Sequence, residues 1–536
     1  MSIHRILAAR SVMALLLLCA SLSQVEASGD LTARPNIVVI LADDMGYSDI
    51  GCYGGEIETP ELDRLAAHGL RFTQFYNGAR CCPTRASLLT GLFPHQTGIG
   101  LMTNDPENPT GFDRHEFGYR GFLNRDCVTI AEVLKPAGYR TLMVGKWHVG
   151  FPTRDLWPLA RGFDRYYGVL AGAANYFRPQ GKRGLTEDEQ QIAAEGDDFY
   201  LTDKLTNRAI EFVSEANREA PFFLYVAYTA PHWPLQAPAD VVAKYRGKYM
   251  QGWDNLREGR RRRMIELGII DKRWALPPRG ARAWNDVPKE KQDEMDERMA
   301  IYAAQVDRMD QNIGRLIAAL QNSGELDSTL LIFLSDNGAC AEGEDLGGGK
   351  REKLNQRESP LFVTYGSCWA NASNTPFRRY KHFTHEGGIA TPFIVHWPNE
   401  IADRGALRDQ LGYLPDLMAT FVELSGAAYP TEYNGHAIPP MEGISLTSAF
   451  RNEPADERLM FWEHEGHRAV RKGPWKAVSL KRHGSWELYN MVEDRTELHD
   501  LAAGQPDLVR VLSQAWEEWS WRAHVQPYPS EQLPVK

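Results

Sequence analysis

Oxygen-bearing side chains follow two apolar segments of strand length. Asp43 and Asp44 come directly after one such segment. Asp336 and Asn337 come just after another. In an open parallel sheet, ligands bind outside the carboxyl ends of the strands, which meet at one edge. Three carboxylates and an amide oxygen at that edge predict a site for a hard divalent cation, although a turn is the alternative interpretation of the Asp-Asp pair alone.

A run of potentially reactive side chains lies between these two segments. It reads Cys-Cys-Pro-Thr-Arg from Cys81 to Arg85 and ends with Leu-Leu-Thr-Gly at Gly91. Two adjacent cysteines are not explained by a routine disulfide, and the chain has no Cys-x-x-Cys pair with the spacing of a structural zinc site. We therefore expect this run to determine the function.

Further cationic side chains lie in three short motifs. Lys146 and His148 belong to a motif that ends in Gly-Lys-Trp-His, and His232 ends the motif Thr-Ala-Pro-His. Lys381 lies five residues before Glu386-Gly-Gly. In a partly dehydrated pocket, such groups stabilise negative charge on an anionic substrate. For Lys381, which has basic neighbours, an exposed basic cluster is the alternative.

The elements that must position these residues alternate between strands and helices. Segments with the apolar, β-branched pattern of buried strands are 36–41, 141–144, 222–227, 330–334 and 392–395. Segments with a helical pattern are 129–134, 206–213 and 299–320. This alternation predicts an α/β fold, with a large and mostly parallel central sheet flanked by helices on both faces.

The pattern changes past Gly426, where loops and short strands replace the alternation. Strand-like segments at 468–471, 475–479 and 486–489 precede a helical segment at 507–521. We therefore expect an α/β domain over residues 28–430 and a smaller α+β C-terminal domain, an antiparallel sheet plus a helix, over residues 431–536.

A charged and irregular segment at about 245–290 predicts an insertion over one face of the sheet. It contains four consecutive arginines, Arg260 to Arg263. We interpret them as a solvated helix face, with contact to an acidic substrate as the alternative.

The N-terminal residues 1–27 have the pattern of a signal peptide. Arg5 and Arg10 form a basic region, an apolar run follows from Val12 to Ala20, and Val25-Glu-Ala is a candidate cleavage site. The run is short for a membrane span, so an uncleaved anchor is the alternative. The pattern predicts export to the periplasm or secretion, and no other segment predicts stable membrane insertion.

The composition excludes several classes of protein. The chain has 536 residues, of which 43% are hydrophobic and 24% are charged, as in ordinary globular enzymes and unlike disordered chains. A formal net charge of -10 argues against nucleic acid as a partner. Seven cysteines are too few for a disulfide scaffold, although an exported protein could hold one or two bridges.

The complete run from Cys81 to Gly91 resembles the signature of the type I sulfatases, which are formylglycine-dependent, arylsulfatase-like members of the alkaline phosphatase superfamily. The other motifs match in the same order along the chain, from Asn36 to about Pro398. In this family the motif cysteine is oxidised after synthesis to formylglycine (3-oxoalanine). The Pro and Arg spacing selects Cys81 for this conversion, while Arg80 stands where the family usually has a smaller residue.

The resemblance implies a role for each candidate residue. Ca²⁺, with Mg²⁺ as the alternative, would be bound by the side chains of Asp43, Asp44, Cys81 after conversion, Asp336 and Asn337. Arg85 and Lys146 would stabilise the hydrated aldehyde, and His148 would remove a proton from it. His232 and Lys381 would contact the sulfate group and the leaving oxygen.

The implied activity is the hydrolysis of an aryl sulfate or a sulfated carbohydrate, a small molecule or an oligosaccharide. The hydrate would attack sulfur and form a covalent sulfated enzyme, which releases sulfate when the aldehyde re-forms. A formylglycine-generating enzyme is the implied partner during maturation. Two alternatives remain: a phosphodiester or phosphonate monoester hydrolase of the same superfamily, and a non-catalytic secreted glycan-binding protein.

Overall fold

A large mixed sheet organises the part of the chain that the computed structural model describes, residues 34–103, 111–215 and 220–529. The predicted signal peptide at residues 1–27 lies outside these residues. The sheet is 11-stranded and contains β1 (Asn36–Asp43), β2 (Leu70–Tyr76), β3 (Arg140–Lys146), β4 (Arg165–Val169), β5 (Leu185–Glu187), β6 (Gln190–Ile192), β7 (Phe222–Pro231), β8 (Thr329–Ser335), β9 (Ala390–His396), β10 (Ala406–Arg408) and β11 (Gly412–Tyr413).

The central strands of this sheet are parallel. The spatial order is β10-β2-β9-β8-β1-β7-β3-β4-β5-β6, with β11 pairing to β2. Strands β8, β1, β7, β3 and β4 pair in parallel, whereas β9 is antiparallel to both of its neighbours. Every residue of β1 is buried, and alternate residues contribute to two hydrophobic cores, one on each face. This confirms the predicted α/β sheet, covered on both sides.

Helices cover the two faces of the sheet. The described α-helices are α1 (Pro60–His68), α2 (Cys81–Thr90), α3 (Ile130–Leu134), α4 (Leu201–Ser214), α5 (Ala239–Tyr245), α6 (Gly252–Glu266), α7 (Lys289–Ser323), α8 (Gly366–Ser373), α9 (Glu386–Ile389), α10 (Asp416–Ser425), α11 (Thr447–Phe450) and α12 (Pro506–Arg522). Apolar residues of α1, α4 and α7 belong to one core, and those of α2, α3 and α10 belong to the other. None of the helices within the described ranges is long and apolar enough to cross a membrane.

The longest helix, α7, begins ten residues before the apolar stripe from which it was predicted. Its first turns are polar. There Arg298 forms a buried ion pair with Glu294, at 2.8 Å between Nη2 and Oε1. A pattern of apolar spacing does not detect turns that are stabilised by ion pairs, so the sequence understates the length of the helix.

The C-terminal region forms a separate antiparallel sheet. Its strands are β14 (Leu459–His464), β15 (His467–Lys472), β16 (Trp475–Ser479) and β17 (Trp486–Asn490), after a two-stranded hairpin of β12 (Glu432–Tyr433) and β13 (His436–Ala437). Helix α12 packs against this sheet through residues that include Trp516, whose indole N–H donates to the carbonyl of Trp462 at 3.0 Å. The predicted antiparallel sheet plus helix is confirmed.

The interpretation of Arg260 as part of a solvated helix face is wrong. Its side chain is fully buried, with Nη1 at 2.7 Å from Asp49 and Nε at 2.8 Å from Glu56. A buried guanidinium requires carboxylate partners. Both partners precede it by about 200 residues, so the local run of four arginines could not reveal them.

Candidate active site

The carboxyl edge of the sheet brings four of the five predicted metal ligands together. Strands β1 and β8 are parallel neighbours, and Ala42 is aligned with Ser335. The N–H of Asp336 continues this pairing and donates to the carbonyl of Ala42 at 3.0 Å. Asp43, which ends β1, and Asp44, which follows it, are therefore adjacent to Asp336 and Asn337, which follow β8.

These four side chains form a fully buried cluster of oxygen atoms. The backbone N–H of Asp44 donates to Asp336 Oδ1 at 3.1 Å, and Asn337 Nδ2 donates to Asp44 Oδ1 at 2.7 Å. Asn337 Oδ1 is buried and has no hydrogen-bond partner among the described residues. Three carboxylates and an unpaired amide oxygen are the donor set that Ca²⁺ and Mg²⁺ prefer, so the residues present fit such an ion.

Three cationic side chains surround the oxygen cluster. Lys146 Nζ lies 2.7 Å from Asp43 Oδ2, and Lys381 Nζ lies 2.9 Å from Asp44 Oδ2. Arg85 Nη2 lies 2.8 Å from Asp336 Oδ2. All three side chains are buried, so each charge acts in a medium that screens it weakly.

The pKa values of Asp43 and Asp44 are shifted in opposite directions by these surroundings. Burial raises the pKa of Asp43 well above its usual value, and the charge of Asp336 adds to the effect despite Lys146. Burial also acts to raise the pKa of Asp44, but Lys381 and His232 outweigh it and the net pKa is lowered. The crowding of negative charge is the repulsion that a divalent cation would offset.

A glycine positions Lys146 at the end of β3. Gly145 has φ of +105°, and a Cβ built on it would lie 1.8 Å from the carbonyl oxygen of Ala227 on β7. Only glycine permits this conformation and this approach of the two strands. The strand can therefore turn and direct Lys146 toward Asp43.

Cys81 is the first residue of α2 and is 1% exposed. Its Sγ lies 4.0 Å from that of Cys82. The Cys82 thiol, as hydrogen-bond partner, lowers the pKa of Cys81 well below its usual value, and Lys146 and His148 add to this effect. Burial raises the pKa of Cys82. None of the six cysteines in the described part of the chain forms a disulfide, so the bridges considered for an exported protein are not found there.

The two predicted histidines lie on different sides of the cluster. His148 has both ring nitrogens 3.4 Å from Cys82 Sγ. His232 Nε2 lies 3.3 Å from Asp44 Oδ2. Burial lowers the pKa of His148 to about 4 and that of His232 to about 3. Both imidazoles are therefore neutral at neutral pH, and the lone pair of His148 is available to accept a proton.

The structure gathers all of the residues predicted for the site into one buried region. They are Asp43, Asp44, Cys81, Arg85, Lys146, His148, His232, Asp336, Asn337 and Lys381. Glu342, which was not predicted for the site, also borders it, with Oε1 at 3.5 Å from Lys381 Nζ. Lys381 and Arg80 lower the pKa of Glu342 against the effect of burial. Two other acidic residues follow it within three positions, and nothing in their spacing singles it out.

Comparison with known proteins places the chain among enzymes that cleave sulfate esters. A family profile described as Sulfatase matches residues 35–427, and one described as N-sulphoglucosamine sulphohydrolase, C-terminal matches residues 378–520. An uncharacterised sulfatase of Schizosaccharomyces pombe is 34% identical over 519 residues, which is 90% of this chain and 93% of the relative. An arylsulfatase of Klebsiella aerogenes is 34% identical over 452 residues, which is 80% of this chain and 96% of that protein.

A solved structure has a similar fold. The crystal structure of Ps i-CgsB in complex with k-i-k-neocarrahexaose has a TM-score of 0.67 and 27% identity, and the match covers 94% of this chain and 100% of that chain. The profile match spans most of the sequence, and the residues that the signature identifies meet at one edge of the sheet. The chain therefore belongs to the sulfatase family and is a sulfuric ester hydrolase.

Proposed function

We propose that the protein hydrolyses sulfate monoesters through a formylglycine formed from Cys81, assisted by Ca²⁺. The observation that carries the proposal is the position of Cys81. It begins helix α2 in a buried region that also contains the oxygen cluster and the three cationic side chains. Members of the family generally depend on a formylglycine and on a metal ion. A helix N-terminus adds partial positive charge where an anion would bind.

Asp43, Asp44, Asp336 and Asn337 would hold the cation. When bound, it would neutralise the crowded carboxylates and favour loss of a proton from a neighbouring hydroxyl group. Calcium is the ion we favour because the donors are all oxygen, with magnesium as the alternative.

The reaction begins with the hydrated aldehyde at position 81. One hydroxyl oxygen attacks sulfur in line with the ester oxygen, so an S–O bond to the enzyme forms as the S–O bond to the leaving group breaks. Lys146, Lys381 and Arg85 stabilise the charge that remains on the peripheral oxygens of the transferred group. His232, on the Asp44 side, is placed near the departing oxygen.

Release of sulfate uses the second hydroxyl group of the hydrate. His148 removes its proton, the aldehyde carbonyl re-forms, and the bond from carbon to the sulfated oxygen breaks. Water then hydrates the aldehyde again. Because the C–O bond breaks, no water molecule has to attack the hindered sulfur. A serine, which has one hydroxyl group, could form the sulfated enzyme but could not release it in this way.

The natural substrate is proposed to be a sulfated carbohydrate fragment, with aryl sulfates as assay substrates. The neocarrahexaose bound in the related Ps i-CgsB supports a carbohydrate. We also propose that the chain is exported through residues 1–27 and matured by a formylglycine-generating enzyme. The catalytic region would extend to about residue 430, with residues 431–536 as its C-terminal α+β partner.

The test is a pair of matched variants expressed in a host that converts the motif cysteine. We expect Cys81→Ser to lose steady-state sulfate release from 4-nitrophenyl sulfate by about 10⁴-fold or more, because the covalent step can no longer be reversed. Cys82→Ser should keep activity within about 10-fold, since only the first cysteine is converted. Full activity of Cys81→Ser would refute the mechanism. Faster hydrolysis of 4-nitrophenyl phosphate than of the sulfate would reassign the enzyme as a phosphoester hydrolase.

A further inference from the structure

A connected row of side chains borders the proposed active site on the side of Lys381 and His232. It consists of Trp233, Glu342, Arg80, His382 and Glu465, which we call the rim. The Trp233 indole N–H donates to Glu342 Oε2 at 2.9 Å, and Arg80 Nη2 donates to Glu342 Oε1 at 3.0 Å. Arg80 Nη1 lies 3.4 Å from His382 Nδ1, which lies 3.3 Å from Glu465 Oε2.

The rim is attached directly to the catalytic machinery. Three of its members are sequence neighbours of site residues: Arg80 precedes Cys81, Trp233 follows His232, and His382 follows Lys381. Glu342 Oε1 also lies 3.5 Å from Lys381 Nζ. His232 is proposed to lie near the departing oxygen, and Trp233 of the rim is the next residue in the chain and packs against its ring. The rim is therefore on the side of the leaving group.

The rim remains accessible, unlike the buried site beneath it. The exposed fraction of the side chain is 28% for Glu342, 28% for His382 and 30% for Glu465. Trp233 is partly exposed and lies between the rings of His232 and Phe362, at centroid distances of 4.4 and 5.5 Å. The rim combines planar hydrogen-bond donors and acceptors with an aromatic surface. This combination suits a ligand ring whose hydroxyl groups form hydrogen bonds and whose apolar carbon frame packs against an aromatic side chain.

A buried histidine below the rim has no hydrogen-bond partner among the described residues. His464 is fully buried at the end of β14, and neither of its ring nitrogens has a hydrogen-bond partner among the described residues. Its Nε2 lies 3.6 Å from Glu465 Oε1, so the ring points toward the rim. Because the ring is fully buried, it borders the rim from below and is not itself exposed to a ligand.

The net charge of the rim affects which ligands bind there. The guanidinium of Arg80 is paired with Glu342, and Lys381 is paired with Asp44. Burial lowers the pKa of His382 and of His464, so neither imidazole adds charge at neutral pH. Glu465 therefore forms no ion pair with a charged cation among the described residues, and the five side chains of the rim, taken by themselves, carry one net negative charge.

From these contacts we propose that the rim is a subsite for an uncharged, hydroxyl-bearing sugar ring, and that Glu342 and Glu465 reject a second anionic group next to the scissile ester. The inference rests on the proposed function and deepens it. The preferred substrate is a carbohydrate monosulfate, and sugars with a further sulfate on the same ring bind weakly.

Competition against 4-nitrophenyl sulfate hydrolysis by the calcium-loaded, converted enzyme tests this proposal. The probes are the 6-sulfate and the 4,6-disulfate of galactose and of N-acetylgalactosamine. We expect each monosulfate to inhibit at about 10-fold lower concentration than its disulfate, because the second sulfate is repelled by the carboxylates of the rim. In Glu342→Gln and Glu465→Gln the difference should fall to about 3-fold or less. The matched control Glu432→Gln, on an exposed hairpin, should keep the 10-fold difference.

Three outcomes would overturn the inference while the enzyme hydrolyses the aryl sulfate. They are equal inhibition by the monosulfates and disulfates, a difference that both glutamine variants leave unchanged, and no inhibition by any monosulfate. Loss of aryl sulfate hydrolysis by converted wild-type protein would be a different result. It would contradict the proposed function itself, and the subsite proposal with it.

Discussion

His148 illustrates how burial prepares one side chain for one step. The ring lies against Cys82, and burial lowers its pKa to about 4, so it is unprotonated at neutral pH. It can therefore accept a proton from the hydrate without first losing one to solvent. In the proposed mechanism, His148 acts in sulfate release but not in the attack on sulfur.

This division of labour predicts an unusual phenotype for His148→Ala. The leaving group should appear in a burst of about one equivalent per converted enzyme, after which turnover should be about 10²- to 10⁴-fold slower than in the wild type. Stopped-flow absorbance with 4-nitrophenyl sulfate measures both phases, and intact-mass analysis detects the sulfated enzyme. A slow reaction without a burst would show that His148 acts before sulfur transfer.

The sequence was sufficient to predict that the oxygen-bearing side chains lie together, but not which residues border them. Asp43 and Asp336 could be placed together because each follows a strand of one parallel sheet. Glu342 and Glu465 could not, because their partners come from distant loops and a hairpin turn. Contacts between loops have no periodicity that a sequence reveals.

At the level of elements, buried ion pairs connect loops and strands that are far apart in the sequence. The pattern of hydrophobic residues does not indicate that these elements are in contact. Glu386, at the start of α9, binds Lys476 of β16 at 2.8 Å and Arg495 at 2.8 Å. All three side chains are buried. Because Glu386 lies five residues after Lys381, this network ties the C-terminal sheet to the segment that carries a site residue.

Glu386→Gln should therefore destabilise the protein by about 3 kcal/mol at pH 7, because it leaves buried cations with fewer partners. Burial acts to raise the pKa of Glu386, but Lys476 and Arg495 outweigh it and lower the pKa to about 2 from an ordinary value of 4.5. A carboxyl group with a lowered pKa stabilises the fold above the ordinary value and loses this contribution as the pH falls.

The difference in unfolding free energy between wild type and Glu386→Gln should consequently shrink between pH 4.5 and about 2. Urea unfolding followed by tryptophan fluorescence at a series of pH values measures it. A difference that is independent of pH in this range would contradict the assignment of the effect to the ionised carboxylate.

The buried side chain of Arg260 leads to a second prediction about stability. It joins α6 to Asp49 and Glu56, in the segment that follows β1. Arg260→Ala should cost about 3 to 5 kcal/mol of stability, since it leaves a buried carboxylate unpaired. The exposed neighbour Arg262 is the matched control, and Arg262→Ala should change stability by less than about 0.5 kcal/mol. Equal effects of the two variants in urea unfolding would contradict the burial of Arg260.

At the scale of the whole molecule, a cation bound by the oxygen cluster would link catalysis to stability. The oxygen cluster joins the ends of β1 and β8 at the centre of the sheet, where three carboxylates repel one another. A ligand that binds only the folded chain stabilises it by about 2.7 kcal/mol at a concentration 100 times its dissociation constant.

Chelation should therefore lower both the melting temperature and the activity of the purified enzyme. We expect Ca²⁺ to restore both, and Asp336→Asn to weaken the restoring effect because it removes one anionic ligand. Differential scanning calorimetry and a sulfate-release assay, carried out on the same samples, measure the two effects. Activity and melting temperature that are unaffected by prolonged chelation would argue against a metal-dependent site.

We propose that the aldehyde at position 81 is the catalytic group. The most direct test compares the abundance of this aldehyde with the activity of the enzyme. Protein preparations with different degrees of conversion are digested, and mass spectrometry quantifies the Cys81 peptide that is about 18 Da lighter than the thiol form. We expect the rate of 4-nitrophenyl sulfate hydrolysis to be proportional to the converted fraction and to extrapolate to zero. Full activity in a preparation whose Cys81 is entirely an unmodified thiol would contradict it.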